Sequence, residues 1–431
     1  MCIRDRYNEV STISKPLYTG KENVKIEKVF KSSTGYTLLL ENEDDSRFMG
    51  YEIYRANESG EFEVIGFAKD FVFFDENQLS YNPSYKIVGV DRLYNYSKFS
   101  KVVSPQAEAT NVCKIGQTYY DSLLSAVQNA NDGDEIVLLK NIESSNLTIS
   151  KNLTITLESS QTSNLFVYRI DKGDFITIDS GVTLTINGNE NAHIVFDGNS
   201  FSQSGALFKV QGVIKTNYVD FQNNINTSYG TIVFLTGNKS YKNTLSNGKM
   251  SNNKATYGGG IYSDNANNVL EITNFIFENN TVSNNGSAIV SRGTLTLNDC
   301  QFLNNYATGN GTIYNHSGGI LYSNNTTVKN NTANCGGGYY IDGATTITGG
   351  VIKNNVALSN GGGIYYSTST GVRTLTLQNI QILDNKADVG SEIYANGTTV
   401  NISSVVLSGQ SLRLEKGDLN LSLIHISEPT R

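Results

Sequence analysis

At 431 residues with a formal net charge of −7, the chain is long enough for two or three domains and lacks the basic footprint of a nucleic-acid binder. No apolar run approaches the roughly 18 residues of a membrane-spanning helix, so no membrane insertion is expected within it. Of its four prolines none falls between Pro105 and Pro429. Proline cannot donate to a strand ladder, and that gap suits continuous strand pairing. Beyond Cys2, the scattered Cys113, Cys300 and Cys335 form neither a disulfide framework nor a CxxC metal site and read as small buried side chains. No HExxH, GxSxG or phosphate-loop pattern occurs, so no metal, cofactor or nucleophile site is indicated.

The two ends are set aside. Residues 1–6 (MCIRDR) and 422–431 (SLIHISEPTR) resemble translated sequencing adapters, so the natural start and stop are expected to lie outside this sequence. Residues 7–105 read as an all-β domain, with alternation in Tyr36–Leu40, Tyr51–Tyr54 and Tyr85–Val90 and a turn at Ser59-Gly60. GYEIYR at 50–55, EVIGFA at 63–68 and YKIVGVDRLYNYS at 85–97 resemble a fibronectin type III domain. They are similar, more particularly, to the module beside enhancin-like metallopeptidases, which implies a neighbouring peptidase rather than one in this chain.

Residues 106–134 read as a linker and a capping helix, Ser122 to Ala130 with Asp121 as its N-cap and Leu123, Leu124 and Val127 on one face. The reason for a cap is general: the terminal unit of a stacked repeat cannot leave its apolar interior open. Strands follow at Glu135–Leu139, Leu147–Ile149 and Leu153–Leu157, opening a solenoid expected over 135–421.

From Phe221 the chain repeats. Polar pairs recur at Asn223-Asn224, Asn252-Asn253, Asn279-Asn280, Asn304-Asn305, Asn330-Asn331, Asn354-Asn355 and Asp384-Asn385, at spacings of 24 to 30 residues. A glycine follows each pair (Gly230, Gly258, Gly286, Gly311, Gly336, Gly361, Gly390), then an apolar residue (Ile232, Ile261, Ile289, Ile313, Tyr339, Ile364, Ile393). Before each pair, apolar residues are spaced two, three and two apart, as in Leu295, Leu297, Cys300 and Phe302. Strand side chains alternate with period two, so the step of three is a bend, and Asn247, Asn274, Asp299, Asn325 and Asn379 stand there. Asn and Asp tolerate the left-handed backbone a tight corner needs. The paired asparagines are expected to stack in hydrogen-bonded ladders, with the first of a pair, such as Asn304, in the ladder.

The fold class is therefore all-β: a fibronectin type III-like β-sandwich followed by a right-handed parallel β-helix with a short N-terminal capping helix. FQNN, FENN and FLNN, with GGGI at 258–261 and 361–364 and GSAI at 286–289, resemble the GGAI/FxxN repeats of polymorphic outer-membrane proteins, of pectin-lyase-like fold. The resemblance covers about Phe221 to Ile393 and implies a secreted or cell-surface bacterial adhesin.

The chemistry-bearing columns lie just after each inward apolar residue. One position on come Val233, Tyr262, Val290, Tyr314, Tyr340, Tyr365 and Tyr394; two further on come Leu235, Asp264, Arg292, His316, Asp342, Ser367 and Asn396. Tyr262, Tyr314, Tyr340, Tyr365 and Tyr394 with Asp264, Arg292, His316 and Asp342 form the candidate ligand-binding stripe. Tyrosine faces suit sugar rings, but similar aromatics also stack on neighbouring strands for stability alone. His193–Gly198 (HIVFDG) reads as a strand entering an Asp-Gly turn. The reading is a non-enzymatic adhesive or spacer segment contacting host or microbial glycans or surface glycoproteins, with no catalytic residue. The alternatives are a carbohydrate-active enzyme, a polysaccharide lyase or glycoside hydrolase using the outer column, and an accessory region of an enhancin-like mucin-degrading peptidase.

Overall fold

The computed structural model describes residues 24–31, 35–41, 48–105, 110–200, 202–230, 232–368, 373–408 and 412–427. The segment 1–6 set aside above, and 428–431 of the closing segment, lie outside the described residues. The chain divides into two compact units, Met1–Glu108 and Ala109–Arg431.

In the first unit, Lys25–Lys31, Tyr36–Glu41 and Val72–Asp75 form one three-stranded antiparallel sheet, and Phe62–Ala68, Phe48–Ala56 and Tyr85–Asp91 form another. Alternate residues of both, among them Leu38, Leu40, Ile53 and Ile87, bury into one shared core. Arg55 and Tyr85 both reach Asp75, Arg55 Nη1 at 2.7 Å and the Tyr85 hydroxyl at 2.9 Å.

The second unit is a right-handed parallel β-helix. Its coils stack in register through an eleven-stranded sheet, a seven-stranded sheet of two-residue strands, and a long sheet to which most coils contribute two segments. One coil shows the plan: Thr294–Asn298, a corner at Asp299, Gln301–Leu303, a corner at Asn304, then Tyr306–Ala307, a turn at Gly311, and Ile313–Asn315. The bends fall where the two-three-two spacing puts them. Asn247, Asn274, Asp299, Asn325 and Asn379 all have φ between 49° and 54°.

Helix Leu123–Asn129 buries Leu123, Ala126 and Val127 in the same core as the first coils. Its N-cap is Ser122, not Asp121: the Ser122 hydroxyl accepts from the Ser125 N–H at 3.1 Å, while Asp121 accepts from the Asn111 N–H. Leu124, expected on the apolar face, is only half-buried. At the far end, Gly417–Ser427 pairs along Thr398–Ser408, so residues 422–427 continue the last coil.

The polar pairs divide their labour, and the expected ladder is shifted by one residue. Asn223, Asn252, Asn279, Asn304, Asn330, Asn354 and Asp384 are corner residues with φ of 55–59°. The ladder is built by the second members, Asn224, Asn253, Asn280, Asn305, Asn331, Asn355 and Asn385, all at most 5% exposed. Asn305 Oδ1 accepts from the Asn280 N–H and Nδ2, each at 3.0 Å. Asn305 Nδ2 donates to Asn331 Oδ1 at 3.0 Å and to the Phe277 carbonyl at 3.0 Å. Both amide hydrogens and both lone pairs are used, which is what lets a polar side chain sit in a dry core. The glycines are required by backbone: Gly336 has φ +64° and an added Cβ would stand 2.3 Å from the Tyr339 carbonyl oxygen.

The ladder ends on a carboxylate. Asn385 donates its backbone N–H and its Nδ2 to Glu392, and the Ser408 hydroxyl donates to the same group. Glu392 is 1% exposed. Burial, opposed by those hydrogen bonds, holds its carboxyl above the ordinary carboxylate range.

Two predictions follow from this division. Asn305→Ala should destabilise by about 1–3 kcal/mol, because it orphans buried partners. Asn304→Gly should leave stability nearly unchanged, since a corner needs only left-handed backbone; urea unfolding compares the two, and equal losses would contradict the assignment. For Glu392, the folded pKa is raised, so its protonated form favours the fold. Its contribution is full below the unfolded value of about 4.3 and is lost as pH rises through the higher folded value. Glu392→Gln should remove that part of the stability–pH slope, read from melting temperatures across the window.

Candidate functional site

The outer face of the eleven-stranded sheet carries the predicted stripe. Strand pairing aligns Phe234, Tyr262, Val290, Tyr314, Tyr340, Tyr365, Tyr394 and Arg413 coil by coil. At one coil the expected column is off by a residue: Val233 pairs with Ile261 and is fully buried, and Phe234 is the partner of Tyr262. Both Ile232 and Val233 are apolar, and the three-residue step from Gly258 to Ile261 applies equally from Gly230 to Val233.

The tyrosines form a tight ring ladder. Tyr340 and Tyr365 stack at 4.8 Å with planes 12° apart, and Tyr365 and Tyr394 at 5.1 Å and 8°. Tyr365 thus has a ring against each face. Tyr314 meets Tyr340 edge-on at 4.8 Å and 90°. A second aromatic group, absent from the sequence reading, surrounds Tyr262: Tyr229 at 5.1 Å, Phe234 at 5.7 Å and Tyr257 at 6.4 Å. Its signal was present, since Tyr229 and Tyr257 each stand just before a turn glycine, Gly230 and Gly258.

Between the two aromatic groups the column is interrupted by Val290, and the polar residues gather there. Asp264, Arg292, His316 and Asp342 enter the turns of four successive coils, each N–H donating to the strand end of the coil before. The Arg292 Nε stands 3.5 Å from Asp264 Oδ1 and makes no hydrogen bond, and both side chains are well exposed, at 37% and 51%. The His316 ring lies 5.4 Å from that of Tyr314. Burial first, then the Arg292 charge, lowers the His316 pKa, so the imidazole is neutral near pH 7. Burial, then Asp342, raises the Tyr314 phenol, which keeps its proton. Asp342 is itself nearly buried.

This arrangement joins a neutral imidazole, a protonated phenol and a guanidinium held between Asp264 and Tyr262 within adjacent coils. It does not bring the two carboxylates together. Asp264 and Asp342 lie three coils apart, about 14 Å at the strand spacing, whereas glycosidase pairs stand roughly 5–9.5 Å apart. Among the described residues no group of three or more His, Cys, Asp or Glu side chains is placed to hold a metal ion. Burial pushes the Cys113 and Cys300 thiols up to about 12, away from thiolate chemistry. Among the described residues no helix is long and apolar enough to cross a membrane.

No family model and no curated protein matches the chain. Among solved structures it is similar to the family 28 exopolygalacturonase of Yersinia enterocolitica, at 12% identity and a TM-score of 0.31 over 95% of this chain and 97% of that one. It is also similar to pectate lyase Pel3 of Pectobacterium carotovorum (14% identity, TM-score 0.20, 76% of this chain and 86% of that one). A third is pectate lyase PelI of Erwinia chrysanthemi, solved with tetragalacturonic acid (12%, 0.18, 95% and 100%). All three are polysaccharide-degrading enzymes, and the expectation of a non-enzymatic segment is corrected on that finding.

The ring ladder generates its own prediction. Tyr365→Ala removes two stacked contacts and should lower the unfolding free energy by about 1–3 kcal/mol. A melting temperature equal to that of the parent protein would show that the stacking contributes nothing.

Proposed function

We propose that the β-helix is a carbohydrate-active unit, working outside the cell, that cleaves a uronate-containing polysaccharide by β-elimination at the interruption of the aromatic column. The observation that carries this is the neutral His316 imidazole set beside the protonated Tyr314 phenol, with the Arg292 guanidinium one coil away. Elimination needs three things: a base for the proton α to the uronate carboxyl, a cation for the charge that builds on that carboxylate, and an acid for the leaving oxygen.

In the proposed step His316 takes the proton from C5. The released electron pair forms the C4=C5 double bond, and the C4–O glycosidic bond breaks. Tyr314 supplies a proton to the departing oxygen, and Arg292 faces the carboxylate throughout. Atoms and charge balance without a metal or a redox partner. Two-carboxylate hydrolysis is disfavoured by the separation of Asp264 and Asp342. The fibronectin type III-like character of the first unit belongs to this proposal as an accessory module of a secreted or surface protein.

Turnover of polygalacturonate and of alginate, read as ultraviolet absorbance of unsaturated products, tests this directly. His316→Ala and Arg292→Ala should each reduce kcat/KM by about 100-fold or more while melting like the parent. Because the His316 pKa is lowered, the acid limb of the pH profile should fall below the ordinary histidine value of about 6.5. Products that carry a reducing end but no double bond would replace elimination with hydrolysis. Full activity in both variants would place the chemistry elsewhere.

A further inference from the structure

A second polar cluster lies on the long sheet, where the corner rule of the β-helix is broken. At this corner the coils carry Asn247, Asn274, Asp299, Asn325, Gly349, Asn379 and Ser404, small or amide residues suited to left-handed backbone. One coil instead carries Tyr218 at φ +55°. A bulky side chain there is strained, and such strain persists where the surroundings fix it for a purpose. Departures of this kind from an otherwise consistent pattern mark functional positions.

Tyr218 packs against His193, on the preceding coil. The two rings meet edge to face at 5.6 Å and 60°. His193 Nδ1 in turn stands 3.0 Å from Asp220 Oδ1, and the two side chains are 27% and 23% exposed. By register Asp220 also stands beside Lys249, its partner in the sheet. Lys249 is nevertheless engaged by Glu278 at 2.6 Å, so Asp220 is held for the imidazole. The Asp220 carboxylate beside it, opposed by burial, raises the His193 pKa.

Beside this pair is an aromatic platform. Phe166 and Tyr168 point outward from Leu165–Arg169 and stack on each other at 5.6 Å and 10°. Phe166 pairs with Val195 and Val195 with Asp220, so the platform lies about 10 Å along the stack from the carboxylate. His193 sits on the coil between them.

We propose that His193, oriented by Asp220 and Tyr218, forms with Phe166 and Tyr168 a second saccharide-binding site, independent of the one at Arg292 and His316. The rings take the apolar face of a sugar, and the imidazole Nε2 hydrogen-bonds its hydroxyl or carboxylate oxygens. Asp220 is a positioning residue in this arrangement.

The chain contains three histidines, His193, His316 and His425, so their imidazole nitrogens can be followed one by one by NMR in the full, histidine-labelled chain. Titration with tetragalacturonate, and separately with the neutral maltotetraose, should give a saturable shift at His193 with at least one probe. A response to the first alone identifies a uronate ligand, and a response to both a neutral one. The shift should persist when Arg292 and His316 are both changed to Ala, and should weaken at least tenfold in Phe166→Ala. Asp220→Asn should bring the His193 pKa down in the absence of sugar; if that variant fails to fold, Phe166→Ala carries the test. No shift at His193 with either probe would overturn the proposal, as would one that disappears in the Arg292/His316 variant or is untouched by Phe166→Ala. Full activity of His316→Ala and Arg292→Ala with the His193 response intact would refute the elimination reading alone.

Discussion

The buried asparagine ladder is the constraint from which the rest of the β-helix follows. Each rung joins one coil to the next through a side-chain amide that has no other way to satisfy its four hydrogen-bonding positions. A slip of one residue would expose the apolar alternation of every strand and orphan the amides at the same time. Register is thereby fixed along six successive rungs, from Asn224 to Asn385. Apolar rings reinforce it from within, as where Phe277 and Phe302 stack at 4.7 Å with planes 1° apart.

A fixed register makes the outer surface a set of columns. Residues from different coils come into line at the strand spacing of about 4.8 Å, close to the distance at which aromatic rings stack. That coincidence explains the tyrosine ladder from Tyr340 to Tyr394 without any ligand. It also leaves no room for a ligand on ring faces already covered. Val290 breaks one column, next to Arg292 and His316. Tyr218 breaks the corner column, next to His193 and Asp220. These two polar clusters both stand at breaks in a repeating pattern.

Much of this was legible in the residues, because a repeat announces its own period. The corners, the turn glycines and the inward alternation follow from spacing, and the structure places them where the spacing does. What spacing could not resolve was phase. Two adjacent asparagines look alike in sequence, yet Asn304 turns the corner and Asn305 enters the core, a difference decided by one φ angle. Ile232 and Val233 pose the same ambiguity between two apolar neighbours. The candidate site was legible as a column but not as an electrostatic unit, since the neutrality of His316 depends on burial and on Arg292 from another coil. His193 and Asp220 are 27 residues apart in the chain and share no motif; only the stacking of coils brings them together. Glu392 was invisible for the same reason, as nothing local marks the carboxylate on which the ladder ends.

The central claim is that coil register assembles a polysaccharide site at the break around Val290. A crystal structure of the protein with a bound uronate tetrasaccharide tests it most directly. The account predicts a sugar carboxylate within hydrogen-bonding distance of the Arg292 guanidinium, with C5 of the same unit facing His316. A sugar bound only on the Tyr340–Tyr394 ladder, or none near Arg292 at saturating ligand, would contradict it.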